Sequence, residues 1–139
     1  DDAAKYKNSN GVLLKNASGR SLLRHCTIDE EEADRLQLQL HSIMSENVGI
    51  VRTTKGLESA LTQIEELAEK VAVQSIDLNV LELQNLITTA FIVVFSALRR
   101  KESRGSHYCS DFPELRSDVS DVHTVMRRGE QGFESFCVE

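Results

Sequence analysis

The chain has 139 residues, of which 40% are hydrophobic and 27% are charged, with one proline and no tryptophan. This length corresponds to one domain with a modest hydrophobic core, and the composition excludes collagen-like, low-complexity and disulfide-rich scaffolds. Sixteen basic residues against twenty-two acidic residues give a net charge of -6. This charge repels polyanions, so nucleic acid is not an expected partner.

Cysteine spacing and hydropathy exclude further classes. Cys26, Cys109 and Cys137 show no paired or Cys/His metal-ligand spacing, so we interpret them as free thiols in a reducing, cytoplasmic environment and expect no metal site. The longest uninterrupted apolar stretch, Leu86 to Leu98, is thirteen residues long. A membrane span needs about 20, so none is predicted. Because the chain begins at Asp1 without a methionine, we expect a piece of a longer protein.

The N-terminal part predicts a connector and a helix. Residues 1–26 mix Lys, Arg, Asn, Ser and Gly without sustained periodicity, which is typical of an irregular connector. Thr27-Ile28-Asp29-Glu30 matches a capping box and predicts a helix start. Gly49 is expected to end or interrupt this helix. Its predicted buried face comprises Ala33, Leu36, Leu40, Ile43 and Met44.

A second helix is predicted after Thr53 and Thr54, where the amphipathic pattern is the cleanest in the chain. Its apolar residues recur at helical spacing: Leu57, Ala60, Leu61, Ile64, Leu67, Ala68 and Val71. Its other face is interpreted as solvated surface: Glu58, Gln63, Glu65, Glu66, Glu69 and Lys70.

A third helix is predicted to begin with Asn79 as its cap and Glu82 at the third helical position. One buried stripe comprises Leu83, Ile87, Ala90, Val94, Ala97 and Leu98. Further apolar residues lie on its other sides, so a second covering surface from another domain or subunit is expected. Residues 92–94 are β-branched and would also fit a strand, but the capped lead-in and basic exit favour a helix. The predicted fold is therefore all-α, an antiparallel, spectrin-like three-helix bundle over residues 27–102.

The segment after the third helix contains many polar and charged groups. Arg99, Arg100 and Lys101 complement the dipole at the helix C-terminus, and Gly105 is placed to turn the chain. Residues 103–115 form a predicted loop. Residues 116–139 predict a mostly irregular tail, in which Val122, Val125 and Met126 could form one more helical turn.

A search for catalytic motifs finds no dinucleotide-binding glycine pattern, P-loop, HExxH or GxSxG. His107 has two interpretations, a general base oriented by Asp111 or part of a hydrogen-bonded clasp that fixes the loop and docks it on a neighbour. We favour the clasp, formed by Glu102, Arg104, His107 and Asp111, because no cleft or nucleophile accompanies these groups. A Cys109 nucleophile beside His107 is disfavoured. Arg52 is expected to bind carbonyls or a carboxylate of a facing segment rather than a substrate.

Five segments carry a family resemblance: Val48-Gly49-Ile50-Val51-Arg52, Leu81-Glu82-Leu83-Gln84-Asn85-Leu86, Ser96-Ala97-Leu98-Arg99-Arg100-Lys101-Glu102-Ser103-Arg104-Gly105, His107-Tyr108 and Asp111-Phe112-Pro113. Their order and spacing over residues 36–115 resemble the C-terminal helical domain of the L-aspartate oxidases, within the family of succinate dehydrogenase and fumarate reductase flavoproteins. The family shares the pattern ESRG-x-H followed by D-[YF]-P. The VGIVR and Gly-x-His-Tyr forms are more similar to the oxidases. Gln84 stands where the family usually has arginine.

The resemblance implies a parent enzyme that binds FAD in a preceding domain and oxidises L-aspartate to iminoaspartate for NAD biosynthesis. None of the family's catalytic residues maps onto this chain, so no catalytic, cofactor-binding or metal residue is expected here, and the chain alone is not expected to be an enzyme. Its implied partners are the flavin-binding and capping domains of the same polypeptide. The expected docking residues are Arg52, Glu102, Ser103, Arg104, Gly105, His107, Asp111, Phe112 and Pro113.

Two alternatives stay open at this point. The parent could be a succinate dehydrogenase or fumarate reductase flavoprotein, or the chain could be a free-standing helical interaction module. In either case the apolar surplus of the third helix predicts association, including homo-oligomerisation.

Overall fold

The computed structural model describes residues 28–72, 75, 77–117, 123–129 and 132–138, so the predicted connector lies outside the described residues. Three helices dominate: α1 (Glu30–Asn47), α2 (Thr54–Lys70) and α3 (Leu78–Arg99). Two short strands, β1 (Val51–Arg52) and β2 (Tyr108–Cys109), form one small parallel sheet. Two longer strands, β3 (His123–Gly129) and β4 (Gly132–Val138), form an antiparallel hairpin. The chain is thus mostly helical, and the prediction of an all-α fold is incomplete.

Helix starts are defined by capping side chains. Thr53 caps α2 as expected, since its hydroxyl accepts a hydrogen bond from the Gly56 N–H at 3.0 Å. The other two caps differ from prediction. Asp29, not Thr27, caps α1 through the Glu32 N–H at 2.8 Å, and Asp77, not Asn79, caps α3 through the Asn79 N–H at 2.9 Å. In both cases an ionised carboxylate near the helix start takes the role, because it also interacts favourably with the helix dipole.

The hydrophobic core lies where the three helices contact one another. The predicted periodic stripes supply most of it, and residues 92–94 are helical rather than extended. Burial of each large apolar side chain contributes roughly 1.5–3 kcal/mol, so these stripes are the main source of stability. The buried helical residues are Ala33, Leu36, Leu40 and Ile43 of α1, Leu57, Ala60, Ile64 and Leu67 of α2, and Val80, Leu83, Ile87, Ala90, Phe91, Val94 and Ala97 of α3.

The surplus apolar groups of α3 are only partly covered. Leu81 and Val93 are each about two fifths exposed, and Arg99 lies over the Phe95 ring at 5.9 Å from its centroid. By length and composition alone α3 could also cross a membrane, because an 18-residue window has a mean hydropathy of 1.6. One third of that window is buried within the protein, and a core helix passes the same test.

The C-terminal segment is a correction to the sequence prediction. The helical unit ends at Leu115, and a second compact unit contains the β3–β4 hairpin. Val125 and Met126, expected in a helical turn of an irregular tail, lie in β3 and pair with Phe136 and Ser135. Gly129 pairs with Gly132, so the strands are joined by a two-residue connection. Alternating β-branched, aromatic and polar residues on both sides of this turn are typical of a hairpin, and this pattern was missed.

Candidate functional site

The loop that follows α3, residues 100–115, is attached to the connection between α1 and α2. We call it the post-α3 loop. Arg52 pairs with Cys109 and Val51 with Tyr108 in the parallel β1–β2 sheet. The Ser110 backbone N–H donates to the Arg52 carbonyl at 2.9 Å, and the Ser110 hydroxyl lies 3.2 Å from the same oxygen. The two family-like segments, distant in sequence, are therefore adjacent in space.

A tight turn shapes the centre of the post-α3 loop. Arg104 and His107 exchange backbone hydrogen bonds of 2.8 and 3.0 Å across Gly105 and Ser106. Gly105 has a φ of +58°, and no other described residue except glycine has a positive φ. A positive φ at the first of two turn residues is typical of a type II′ turn, which favours glycine there. The expected role of Gly105 in turning the chain is confirmed.

Glu102 is a buried anion held by two arginines. The residue is 1% exposed, and its carboxylate lies 3.1 Å from Arg100 Nη2 and 3.2 Å from Arg104 Nε. Both arginine side chains remain partly exposed. The desolvation of such a carboxylate offsets much of the attraction, so these ion pairs fix the orientation of the loop more than they add stability.

His107 is buried between Arg52 and the end of α3. Its Nδ1 lies 2.9 Å from Arg52 Nη1, and its Nε2 lies 3.2 Å from the Arg100 carbonyl oxygen. Guanidinium groups only donate and carbonyls only accept, so the assignment that satisfies both contacts is a neutral ring protonated at Nε2. Burial lowers the pKa of His107 below its ordinary value of 6.5, and the charges of Arg52 and Arg100 lower it further.

Ser103 closes the base of the post-α3 loop. Its hydroxyl oxygen accepts from the Cys109 N–H at 3.0 Å and lies 2.8 Å from the Phe112 carbonyl, to which it can donate. Its backbone N–H donates to the Glu114 carbonyl at 3.1 Å. Phe112, half-buried, donates its N–H to the Cys109 carbonyl at 3.0 Å, whereas Pro113 is exposed. One small polar side chain thereby ties together both arms of the loop.

Asp111 lies apart from the other clasp residues. Its carboxylate accepts from the Thr54 N–H, the first residue of α2, at 2.6 Å. That hydrogen bond, with one from the Thr54 side chain, lowers the pKa of Asp111 below 3.8. The interpretation of Asp111 as the orienting acid of His107 is therefore wrong, because the β1–β2 register places the carboxylate at the start of α2. The predicted clasp is divided into a Glu102–Arg104 pair, a His107 contact and an Asp111 helix cap.

Sequence analysis missed three participants in this site. Arg100 was interpreted only as a dipole-complementing cation, but its side chain binds Glu102 and its carbonyl binds His107. Thr54 and Ser110 contribute through the backbone, which carries no sequence signal of its own. The parallel pairing of β1 and β2 would have suggested all three, but strands of two residues are too short for periodicity to reveal.

The described residues at this site lack the arrangement of a catalytic centre. Both ring nitrogens of His107 are occupied by Arg52 and Arg100, so the ring is not available to activate the buried Cys109 thiol. Within the described residues, no three His, Cys, Asp or Glu side chains converge as metal ligands. The arrangement instead presents an apolar surface, which we call the β1–β2 surface: Ile50 is 85% exposed, Val51 65% and Tyr108 42%. Apolar groups grouped in this way are typical of a contact region.

Comparison with known proteins gives a consistent family. The family described as the fumarate reductase flavoprotein C-terminus matches residues 37–135, well beyond the 36–115 range of the resemblance and into β4. A fumarate reductase (CoM/CoB) of Methanothermobacter marburgensis has a polypeptide that is 43% identical over 104 residues, which cover 68% of this chain and 19% of that protein. L-Aspartate oxidase of Yersinia pestis is 48% identical over 80 residues, covering 55% of this chain and 15% of the oxidase.

A solved structure agrees with these matches. The Mycobacterium smegmatis Sdh1 complex in its apo form has a chain that superposes with a TM-score of 0.62 and 27% identity, covering 76% of this chain and 20% of that one. The present chain spans less than a fifth of the length of the curated relatives named above. Because the family match includes all three helices and the post-α3 loop, the chain belongs to the family of fumarate reductase flavoprotein C-terminal domains.

Proposed function

We propose that this chain is the non-catalytic C-terminal domain of an L-aspartate oxidase-like FAD enzyme and that it braces the flavin-binding and capping domains of the same polypeptide. The observation that carries the proposal is the union of the VGIVR segment with the His107-Tyr108 segment through the β1–β2 sheet and the Arg52–His107 contact. These are the two segments in which the sequence is most similar to the oxidases. Their side chains hold a loop in place instead of converging on a substrate.

The similarity to named oxidases supports the finer part of the proposal. L-Aspartate oxidases of Acinetobacter baylyi and Yersinia pestis are 44% and 48% identical to the matched parts of this chain. We infer for the parent the oxidation of L-aspartate to iminoaspartate, a step of NAD biosynthesis, in the cytoplasm. The buried free thiol of Cys109 is compatible with such a reducing environment.

The proposed docking region combines the β1–β2 surface with the post-α3 loop. Parallel sheets are normally covered on both faces, whereas β1 and β2 leave Val51 and Tyr108 exposed. We propose that the flavin-binding and capping domains cover this surface. The partly exposed outer side of α3, including Leu81 and Val93, is a second candidate contact and could also support self-association.

The cofactor of the proposed parent would not be bound by this chain alone. Its described residues include no strand–glycine loop–helix unit of the kind that holds a dinucleotide. FAD would therefore belong to the remaining four fifths of a protein with the length of the relatives. In that setting the flavin supplies the redox chemistry, and the present residues hold the surrounding domains in position.

A fumarate reductase or succinate dehydrogenase parent is the second candidate, and match length favours it. The fumarate reductase flavoprotein subunit of Mycobacterium tuberculosis matches over 123 residues, or 81% of this chain, whereas the Yersinia oxidase matches over 80. The longer matches include residues of the β3–β4 hairpin region, which the oxidase resemblance over residues 36–115 does not reach.

The deciding experiment compares the 139-residue chain with the protein encoded by its uninterrupted reading frame. Both are purified, and the visible absorbance of bound flavin is recorded before and after anaerobic addition of L-aspartate or succinate. We expect the longer protein to be yellow and to be bleached by L-aspartate, while the shorter chain stays colourless. Bleaching by succinate alone would transfer the assignment to the second candidate. A reading frame that encodes no further domain and binds no flavin would favour a free-standing interaction module.

The bracing role needs its own variant in that longer protein. Ile50→Asp places a charge on the β1–β2 surface, and Leu38→Asp, on the 70% exposed Leu38 of α1, is the matched control. If the surface is covered in the parent, Ile50→Asp lowers the thermal midpoint and promotes flavin loss, because an uncompensated charge is then buried. Equal behaviour of the two variants would show that this surface braces nothing.

A further inference from the structure

We propose that His107 is an acid-sensitive latch: protonation of its ring breaks the contact with Arg52 and releases the post-α3 loop from β1. The proposal concerns how the loop is held and does not depend on which enzyme the chain belongs to. Only its consequence, release of a docked domain, rests on the proposed function.

The donor and acceptor pattern around the ring carries the inference. Nδ1 must be unprotonated to accept from Arg52 Nη1 at 2.9 Å, while Nε2 must carry a hydrogen to bond the Arg100 carbonyl at 3.2 Å. An imidazolium carries hydrogens on both nitrogens. Protonation would therefore leave Nδ1–H facing a guanidinium N–H, so one hydrogen bond would be replaced by repulsion between two cations.

The surroundings disfavour the charged ring further. His107 is 7% exposed, and the charged groups that act on it are Arg52 from β1, and Arg100 and Glu102 from the post-α3 loop. The attraction of Glu102 is already shared with the guanidinium groups of Arg100 and Arg104. The net effect is a pKa of His107 below 6.5, consistent with the geometry.

Little else joins the two segments at this point. β1 and β2 contribute two residues each, and the remaining contacts there include the Ser110 hydrogen bonds to the Arg52 carbonyl. Arg52 Nε also bonds the Val48 carbonyl at 3.2 Å, so the arginine can stay on the α1 side when the histidine leaves. Loss of the Arg52–His107 contact should therefore open the loop locally while α1, α2 and α3 remain packed.

The sign of the pH dependence follows from the lowered pKa. An open loop exposes His107 and lets it bind a proton near pH 6.5, whereas the closed loop binds one only at lower pH. The closed form is therefore fully favoured above pH 6.5 and is progressively lost as the pH falls from 6.5 to the lowered pKa. One proton couples to opening, so the opening equilibrium rises up to about tenfold per pH unit within this window.

The test uses the full chain, with histidine ring resonances and amide hydrogen exchange followed over the same pH range. We expect a neutral ring protonated at Nε2 at neutral pH. As the ring becomes protonated, the protection factors at the Arg104, His107 and Ser110 amides should fall, while amides of α2 keep theirs. His107→Gln, which keeps a donor and an acceptor without titrating, should remove this acid step, and His41→Gln, on the exposed side of α1, should retain it.

Three results would overturn the latch: an imidazolium at neutral pH, protonation of His107 with unchanged loop protection, or an unaltered acid step in His107→Gln. Arg52→Met provides an independent arm should His107→Gln fold poorly. It removes a cation that lowers the pKa of His107, so the ring should be protonated at higher pH than in the unmodified chain. An unchanged or lower pKa in Arg52→Met would also contradict the proposal. Bound flavin and L-aspartate oxidation enter none of these measurements, so the proposed function can fail separately.

Discussion

The three-helix core and the post-α3 loop are stabilised by different interactions, although they belong to one compact unit. The core is held by apolar side chains that repeat along each helix, and each contributes by its burial. The loop is held by a small number of hydrogen bonds and ion pairs that join residues far apart in the chain, such as Arg52 with His107. Many small contributions tolerate change, whereas a few directional contacts can be switched one at a time.

The largest expected effect lies in the core. Phe91 is 1% exposed and stacks near Phe95, with ring centroids 5.7 Å apart. We expect Phe91→Ala to lower the free energy of unfolding by about 3–5 kcal/mol, because it removes apolar burial and leaves a cavity. Val93→Ala, at a 41% exposed position of the same helix, should change it by no more than about 0.5 kcal/mol. Urea denaturation of the two variants measures the difference, and similar losses would mean that α3 is not packed as described.

The second effect tests the loop alone. Glu102→Gln preserves the shape of the side chain but removes the charge that binds Arg100 and Arg104. We expect a loss of roughly 1.5–3 kcal/mol, the usual contribution of hydrogen bonds to a charged group. The loss should appear as weaker amide protection in the post-α3 loop, at Ser103, Arg104 and Cys109.

The matched control for that variant is Glu82→Gln, on an exposed position of α3. Because the Glu102 carboxylate is buried, its contribution should also persist at high salt, unlike that of an exposed ion pair. Equal effects of the two variants, or full screening by salt, would contradict the distinction between core and loop.

The same distinction explains how much could be predicted from sequence. Local periodicity predicted the three helices and most of their buried residues, because a helical stripe is encoded by neighbours three and four positions apart. Cap positions were less accurate, since Asp29 and Asp77 compete with nearby Thr27 and Asn79 for the same role. The motif residues around Gly105 were recognised, but their partners were not. Pairing of Arg52 with His107 or Asp111 with Thr54 depends on tertiary register, which one sequence does not reveal.

Glu65 shows a further departure from the sequence interpretation and predicts a smaller effect. It was assigned to the solvated face of α2, yet one carboxylate oxygen is buried and has no hydrogen-bond partner among the described residues. Burial, with the nearby charge of Glu69, raises the pKa of Glu65 above 4.5. The folded state therefore binds this proton more tightly than the unfolded state, and stability is lost as the pH rises through this range.

Glu65→Gln should accordingly stabilise the protein at neutral pH, by less than about 1 kcal/mol because the side chain is only half-buried. The gain should disappear in acid, where the carboxyl group is protonated in both states. Glu66→Gln, one position along at an exposed site, is the control. Thermal midpoints of both variants at neutral and acidic pH measure the effect, and a destabilising Glu65→Gln would show that this carboxylate has a favourable partner.

Asp111→Asn has the smallest expected effect and tests how the loop is joined to the bundle. The Asp111 carboxylate is exposed, so most of its attraction to the Thr54 N–H is screened by solvent. Its lowered pKa means that its contribution is present above pH 3.8 and is lost as the pH falls below that value. We therefore expect a slightly lower thermal midpoint for Asp111→Asn than for Glu114→Gln at neutral pH, with the difference vanishing in strong acid. The His107 latch titrates at higher pH, so the two contacts can be separated in one titration. A variant whose deficit persists below pH 3.8 would indicate that the amide disrupts the start of α2, and that the carboxylate charge is not what joins loop and bundle.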